Sequence, residues 1–138
     1  MIDSLRATLT VASNGLSAQS TRMRVLSENL ANAGSTGTTA GSDPYQRKLV
    51  TFENTMDAEA GVEIVKAGRI SRDPAPFRIE HKPGHPAADE SGNVKLPNVE
   101  MLMELADMRE ASRSYAANAQ VIKQVREIVS MTVDLLKA

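Results

Sequence analysis

Ile2, Leu5, Leu9, Ala12, Leu16, Gln19, Met23, Leu26, Leu30 and Ala33 follow one another at alternating steps of three and four. A heptad spacing sustained this long is the feature that most restricts the fold. Only an amphipathic helix brings an apolar residue back to one face at that interval. The spacing predicts a helix from about Asp3 to Asn32, roughly 45 Å long at the α-helical rise. Gly15 weakens it by ~1 kcal/mol relative to Ala, while Asn32 and Gly34 suit its end because both tolerate the left-handed conformation. A helix this long and thin cannot cover its own seam. It needs a partner.

The C-terminal third offers one. Pro97 and Asn98, a good N-cap, precede acidic Glu100, so a helix is expected from Asn98 onward. Met101, Leu105, Met108, Ser112, Tyr115, Ala119, Ile122, Arg126, Val129, Val133 and Leu136 repeat the three-and-four alternation. A second seam of Val121, Val125, Ile128, Thr132 and Leu135 runs beside it. Two adjacent stripes make a face broad enough for several helices. An ordinary helical hairpin with a wide buried face is the blander reading, but little else in the chain could cover so much apolar surface.

Between the helices the composition changes. Gly34–Ser42, "GSTGTTAGS", reads as a flexible loop. "YQRKLVTF" (Tyr45–Phe52), "VEIVKAG" and "FRIEHK" are short strand candidates, separated by turn-rich "RDPAP" and "KPGHPAADESGN". The expected fold class is therefore mainly α: long terminal helices forming an antiparallel coiled coil around a small irregular, β-containing insert. Its three parts are residues 1–33, 34–97 and 98–138.

Composition narrows the function. Only Tyr45, Phe52, Phe77 and Tyr115 are aromatic and Trp is absent, which suits helix-on-helix packing better than a globular enzyme core. Sixteen basic and seventeen acidic residues leave a net charge of −1, offering no electrostatic basis for nucleic acid or an anionic membrane. Without cysteine there is no disulfide, thiolate metal site or Cys nucleophile. No apolar run has the length of a membrane span, and the N-terminus lacks the continuous apolar stretch of a cleaved secretory signal.

Chemistry is sparse. His81, His85, Asp89 and Glu90 form the one candidate cluster, yet Pro83 and Gly84 between the histidines exclude the helix that would align them for a metal. Exposed loop histidines are the better reading. Glycines 34, 37 and 41 lack the Lys-Ser/Thr of a phosphate loop, and no Gly-x-Ser-x-Gly elbow occurs. No enzyme activity, cofactor, metal or small-molecule substrate is expected. Asn29 and Asn32 in "ENLANAG" read either as helix-ending residues or as a recognition feature.

The motifs are more specific than the composition. "SENLANAGSTG" followed by "DPYQRKLVTFE" resembles the N-terminal signature of bacterial flagellar rod and hook proteins, in which an Asn-Leu-Ala-Asn run closes the first helix. "HPAADESGNVKLPNVEMLMELADMREASRSYAANAQVI" is similar to the C-terminal signature of the same family. Asn29, Asn32, Pro44, Tyr45, Pro97 and Asn98 carry the match. Thr38-Thr39 departs from the Gly-aromatic pair common among axial relatives; an aromatic after a loop, as at Tyr45, is the proximal-rod form.

The resemblance implies a structural subunit of the flagellar basal-body rod, passing torque from the membrane ring to the hook. It implies export by the flagellar type III apparatus without cleavage and assembly in the periplasmic space. The implied partners are other rod subunits, further copies of the chain, an adaptor at the rod base and the membrane ring. Leu5, Leu9, Leu16, Met23, Leu26, Leu30, Leu105, Met108, Tyr115, Ile122, Val125, Val129, Val133 and Leu136 are the expected helix-packing and assembly residues. A soluble helical-hairpin adaptor for a partner helix is the rival reading.

Overall fold

The computed structural model describes residues 2–137, with the side chains of Ile2 and Leu136 outside the described residues. Helix α1 runs Ile2–Asn32 and helix α2 Met101–Lys137. Between them lie strands β1 (Lys48–Asp57), β2 (Val62–Arg72), β3 (Arg78–His81) and β4 (Asn93–Leu96). β1 pairs with β2 and β3 with β4, giving two two-stranded sheets among the described residues.

Both helices accommodate interior polar residues by bonding them back to carbonyls one turn earlier. Thr8 Oγ1 donates to the Ser4 carbonyl, Asn14 to Thr10, Asn32 to Glu28, Asn118 to Ser114 and Thr132 to Ile128, all at 2.8–3.0 Å. The β1–β2 turn is fixed by Asp57, whose carboxylate accepts from the N–H of Glu59 and Ala60. Gly61 closes it at φ +65°, a conformation a side chain would disfavour. β3 and β4 are antiparallel, with Arg78 opposite Leu96 and His81 opposite Asn93.

The chain divides into two compact units. Unit 1 holds residues 1–23, 51–69 and 109–138; its most buried apolar residues are Ala12, Ala18, Ile64, Ala111 and Val125. Unit 2 holds residues 24–50 and 70–108, with a core of Val25, Leu26, Ala33, Ala87, Val94, Leu96 and Val99.

The mainly α expectation is overturned. Two strands of 10 and 11 residues make a long hairpin, and a second sheet adds β4, a strand not anticipated from the sequence. The first α2 seam does not form the expected coiled-coil face: its Met108 and Ile122 are half-buried, but Leu105, Tyr115, Val129 and Val133 are exposed. In unit 1, Gly15 of α1 lies against Asn118 of α2 and Arg22 is 3.5 Å from Glu110, so the helices pass antiparallel through small and polar residues. Fully buried Ala111 and nearly buried Val125 belong to this inward stripe, whereas Tyr115, Val129 and Val133 are about 40% exposed. In unit 2, Glu104 is wholly buried and its neighbour Leu105 is 46% exposed. In each unit the most buried α2 residue stands one position before a residue of the first seam, Glu104 before Leu105 and Ala111 before Ser112, while Met108 and Ile122 of that seam are half-buried.

Two further expectations change. The α2 start moves from Asn98 to Met101, because Asn98 spends its side chain on other segments. The 34–42 loop is anchored at its end. Ser42 Oγ bridges the N–H and carbonyl of Thr39, the Gly41 N–H donates to the Ala87 carbonyl, and Lys95 pairs with Asp43 at 2.7 Å.

Candidate functional site: a buried polar knot

Unit 2 is organised around Asn29, which stands in the last turns of α1 with no exposed surface. Its Oδ1 accepts from the Tyr45 hydroxyl at 2.8 Å and from the Lys48 N–H at 2.9 Å. Its Nδ2 donates to the Lys48 carbonyl at 2.9 Å and to Glu104 Oε2 at 3.0 Å. One amide thus holds both backbone groups of the first residue of β1, a phenol and a carboxylate on α2. All four of its usual hydrogen-bonding positions are filled.

Glu104 sits in the first turn of α2, where an acid favours the helix dipole. Its other oxygen, Oε1, accepts from Arg47 Nε at 2.6 Å. Arg47 reaches on to Asp73 Oδ2 at 3.1 Å, and its N–H donates to Asn98 Oδ1 at 2.8 Å. Asn98 Nδ2 in turn donates to the carbonyls of Asp73 and Ala75, while Gln46 Nε2 donates to the Asp73 carbonyl at 2.7 Å. Beside this group, Lys48 pairs with Glu28 at 3.0 Å, and Arg78 donates to the carbonyls of Pro97 and Ala33.

The electrostatics follow from that geometry. Burial disfavours the Arg47 charge, but the hydrogen bonds and fields of Glu104 and Asp73 prevail and raise its pKa. The Ala75 N–H holds the Asp73 carboxyl below its usual range, with burial opposing and Arg47 adding to the effect. Burial pushes the Tyr45 phenol up, helped by Glu28 and Glu104 and opposed by Arg72. A buried charge is tolerated only when paired and hydrogen-bonded, and Glu104 is both.

The structure brings together Asn29, Tyr45 and Asn98 from the sequence motifs. Asn32 instead caps back onto Glu28, Pro97 supplies a carbonyl to Arg78, and Pro44 leads into the knot from the loop. Of the expected helix-packing residues, Leu26 and Val125 are buried, and Leu5, Leu9, Leu16, Met23, Leu30, Met108 and Ile122 are half-buried. Leu105, Tyr115, Val129 and Val133 are exposed, and Leu136 lies outside the described residues. Sequence reasoning missed Arg47, Asp73 and Glu104. The available signal was the acid Glu104 in "MLMEL", a charge flanked by Met103 and Leu105.

The histidine loop forms no such centre. His85 Nδ1 accepts the Ala87 N–H at 3.1 Å and His81 Nδ1 lies 3.2 Å from Asn93 Oδ1. Among the described residues, no group of three or more His, Asp or Glu could hold a metal ion, and no helix is long and apolar enough to cross a membrane.

Comparison with known proteins agrees with the motifs. Residues 9–37 match the family model described as "Flagella basal body rod protein", and residues 90–135 match "Flagellar basal body rod FlgEFG protein C-terminal". The chain is similar to the flagellar basal-body rod protein FlgC of Agrobacterium fabrum, 56% identical over 99% of both chains. It is 39% identical to that of Salmonella typhimurium over 91% of this chain and 92% of the relative, and 34% identical to that of Aquifex aeolicus over 99% and 100%. With Asn29, Asn98 and Glu104 of the knot inside those matched segments, and the likeness running the length of the chain, this protein belongs to the FlgC family of flagellar basal-body rod proteins.

Proposed function

We propose that this chain is a structural subunit of the proximal flagellar rod, which packs through the outward stripe of α2 against other rod subunits and further copies of itself. One observation carries the reading. Leu105 in unit 2, and Tyr115, Val129 and Val133 in unit 1, stand in one heptad seam and are all about 40–46% exposed. A helix leaves such a seam uncovered at a cost in solvation, and neighbouring subunits would remove that cost. Contacts between unlike faces whose rotation does not close propagate into a helical assembly such as a tube. The rod would then carry torque from the membrane ring to the hook, with an adaptor at its base. Export by the flagellar type III apparatus without cleavage fits a chain whose two cores are small.

Leu105→Asp tests this reading, because an exposed leucine can take a charge without disturbing the monomer. Cells carrying it should be non-motile, with purified basal bodies showing rings without a rod, while the purified variant keeps the parent's circular dichroism. Normal rods and swimming would remove the α2 stripe from assembly. A discrete heterodimer in place of an open-ended polymer would favour the adaptor reading.

A further inference from the structure

Unit 1 leaves two outer faces uncovered, and they carry opposite charge. Its part of the β1–β2 hairpin packs inward through Ile64, which is 2% exposed, and through Val62, which lines a hollow with Val11 of α1 and Asn118 and Val121 of α2. Strand alternation then turns Glu63 and Val65 away from the helices, and on β1 it puts Phe52 and Met56 on one face. Phe52 is 40% and Met56 61% exposed. Residues 51–69 hold Glu53, Asp57, Glu59 and Glu63 against Lys66 and Arg69, an acidic excess. On α2, exposed Ala119, Lys123 and Arg126 and half-buried Ile122 line a shallow groove of about 350 Å³. Residues 109–137 hold Arg109, Arg113, Lys123, Arg126 and Lys137 against Glu110, Glu127 and Asp134, a basic excess.

We propose that the outer face of the hairpin in one copy docks on the α2 groove of a second copy, with Phe52 as its anchor. This names a partner surface for the assembly reading above and rests on it. The occupant follows from charge. A second α2 would set Lys123 and Arg126 against like charges, whereas the hairpin brings the opposite sign, with Glu63 beside Val65 on its outer face. An aromatic ring suits the groove as well: Ala119 leaves room for it, and the Arg126 guanidinium gains by lying over its face. The contact cannot form within one chain, because the hairpin's outer face is turned away from the helices on which it packs. The two faces are different surfaces, so their pairing is heterologous and leaves a hairpin and a groove free for further copies. All of these residues belong to unit 1.

The chain has no cysteine, so a short bis-maleimide joins two copies only through introduced thiols. Met56→Cys and Ala119→Cys, both at exposed positions, would be produced singly and together in cells, and purified basal bodies treated with the reagent. A cross-linked pair of copies should form only where both variants are present. Pairs from Ala119→Cys alone would overturn the proposal, since the groove would then face another α2. Rods that contain the chain but yield no pair would overturn it too, while leaving the assembly reading intact. Absence of the chain from purified rods would remove both. Arg126→Glu on the groove copy should lower the yield about fivefold, and Glu63→Arg on the hairpin copy should restore it. A yield indifferent to both reversals would overturn the choice of the hairpin by charge.

Discussion

The two units are stabilised in different ways. Unit 1 packs its helices through alanine and a glycine, with Ile64 and Val125 the largest of its nearly buried apolar residues. Its stretch of the β1–β2 hairpin leaves Phe52, Met56 and Val65 exposed. Unit 2 buries Val25, Val94, Leu96 and Val99, and among them an amide and a charge with no exposed surface. Small side chains let backbones approach but specify little, since one alanine face is much like the next. A hydrogen-bonded charge has one set of partners and fails sharply when one is lost. Unit 1 should therefore yield gradually to substitution and unit 2 abruptly.

The strongest way to break that contrast is Glu104→Ala. It leaves Arg47 half-paired and one of the two Asn29 Nδ2 hydrogens without an acceptor, and should cost about 3 kcal/mol or more by urea denaturation, the range for breaking a buried pair. Loss of hydrogen-exchange protection should begin at the Lys48 amide. A cost under ~1 kcal/mol would show that water replaces the carboxylate freely. Asn29→Ala comes next at about 2 kcal/mol, since it frees the Tyr45 hydroxyl and both Lys48 backbone groups at once.

Asp73→Asn sharpens the comparison by pH. The folded Asp73 carboxyl titrates below its usual value, so its contribution is complete above the ordinary carboxylate range and is lost as pH falls through the lower folded pKa. Urea midpoints followed from neutral pH into acid should decline less steeply in the variant than in the parent, with a loss of about 1 kcal/mol at neutral pH. At the alkaline end the sign reverses for Tyr45. Its raised pKa means stability falls as pH rises past the usual phenol value, a dependence that Tyr45→Phe removes.

Unit 1 supplies the small effects. An added Cβ at Gly15 would lie 2.8 Å from Asn118 Nδ2, the far end of a side chain that can move. Gly15→Ala should thus fall within about 0.5 kcal/mol of the parent, its helix-propensity gain offset by displacing Asn118. Combined with Asn118→Ala, the gain of about 1 kcal/mol should emerge in thermal melts. Smallest of all, Arg6→Ala removes a 2.8 Å pair to Glu59 whose side chains are both mostly exposed, and no measurable change is expected.

Much of this was legible in the chain. Heptad spacing located α1 to within a residue, because an amphipathic period is a local property that needs no knowledge of the partner. β-branched residues marked β1, β2 and β3, and the paired motifs at their mutual distance carried the family. Other features depended on distant neighbours. β4 is only four residues long and gains its pairing from β3, so nothing in "NVKL" announces it. Asn98 has every local mark of an N-cap, yet the Arg47 N–H and the Asp73 and Ala75 carbonyls claim it first.

The sequence by itself determined that two long helices would form and that each would carry an apolar stripe, since periodicity is written residue by residue. Which side of the first turn of α2 faces inward in unit 2 was decided only by the tertiary structure. Glu104, Arg47 and Asn29 lie far apart along the chain, and a buried charge must follow its hydrogen-bond partners rather than the hydrophobic average of its helix.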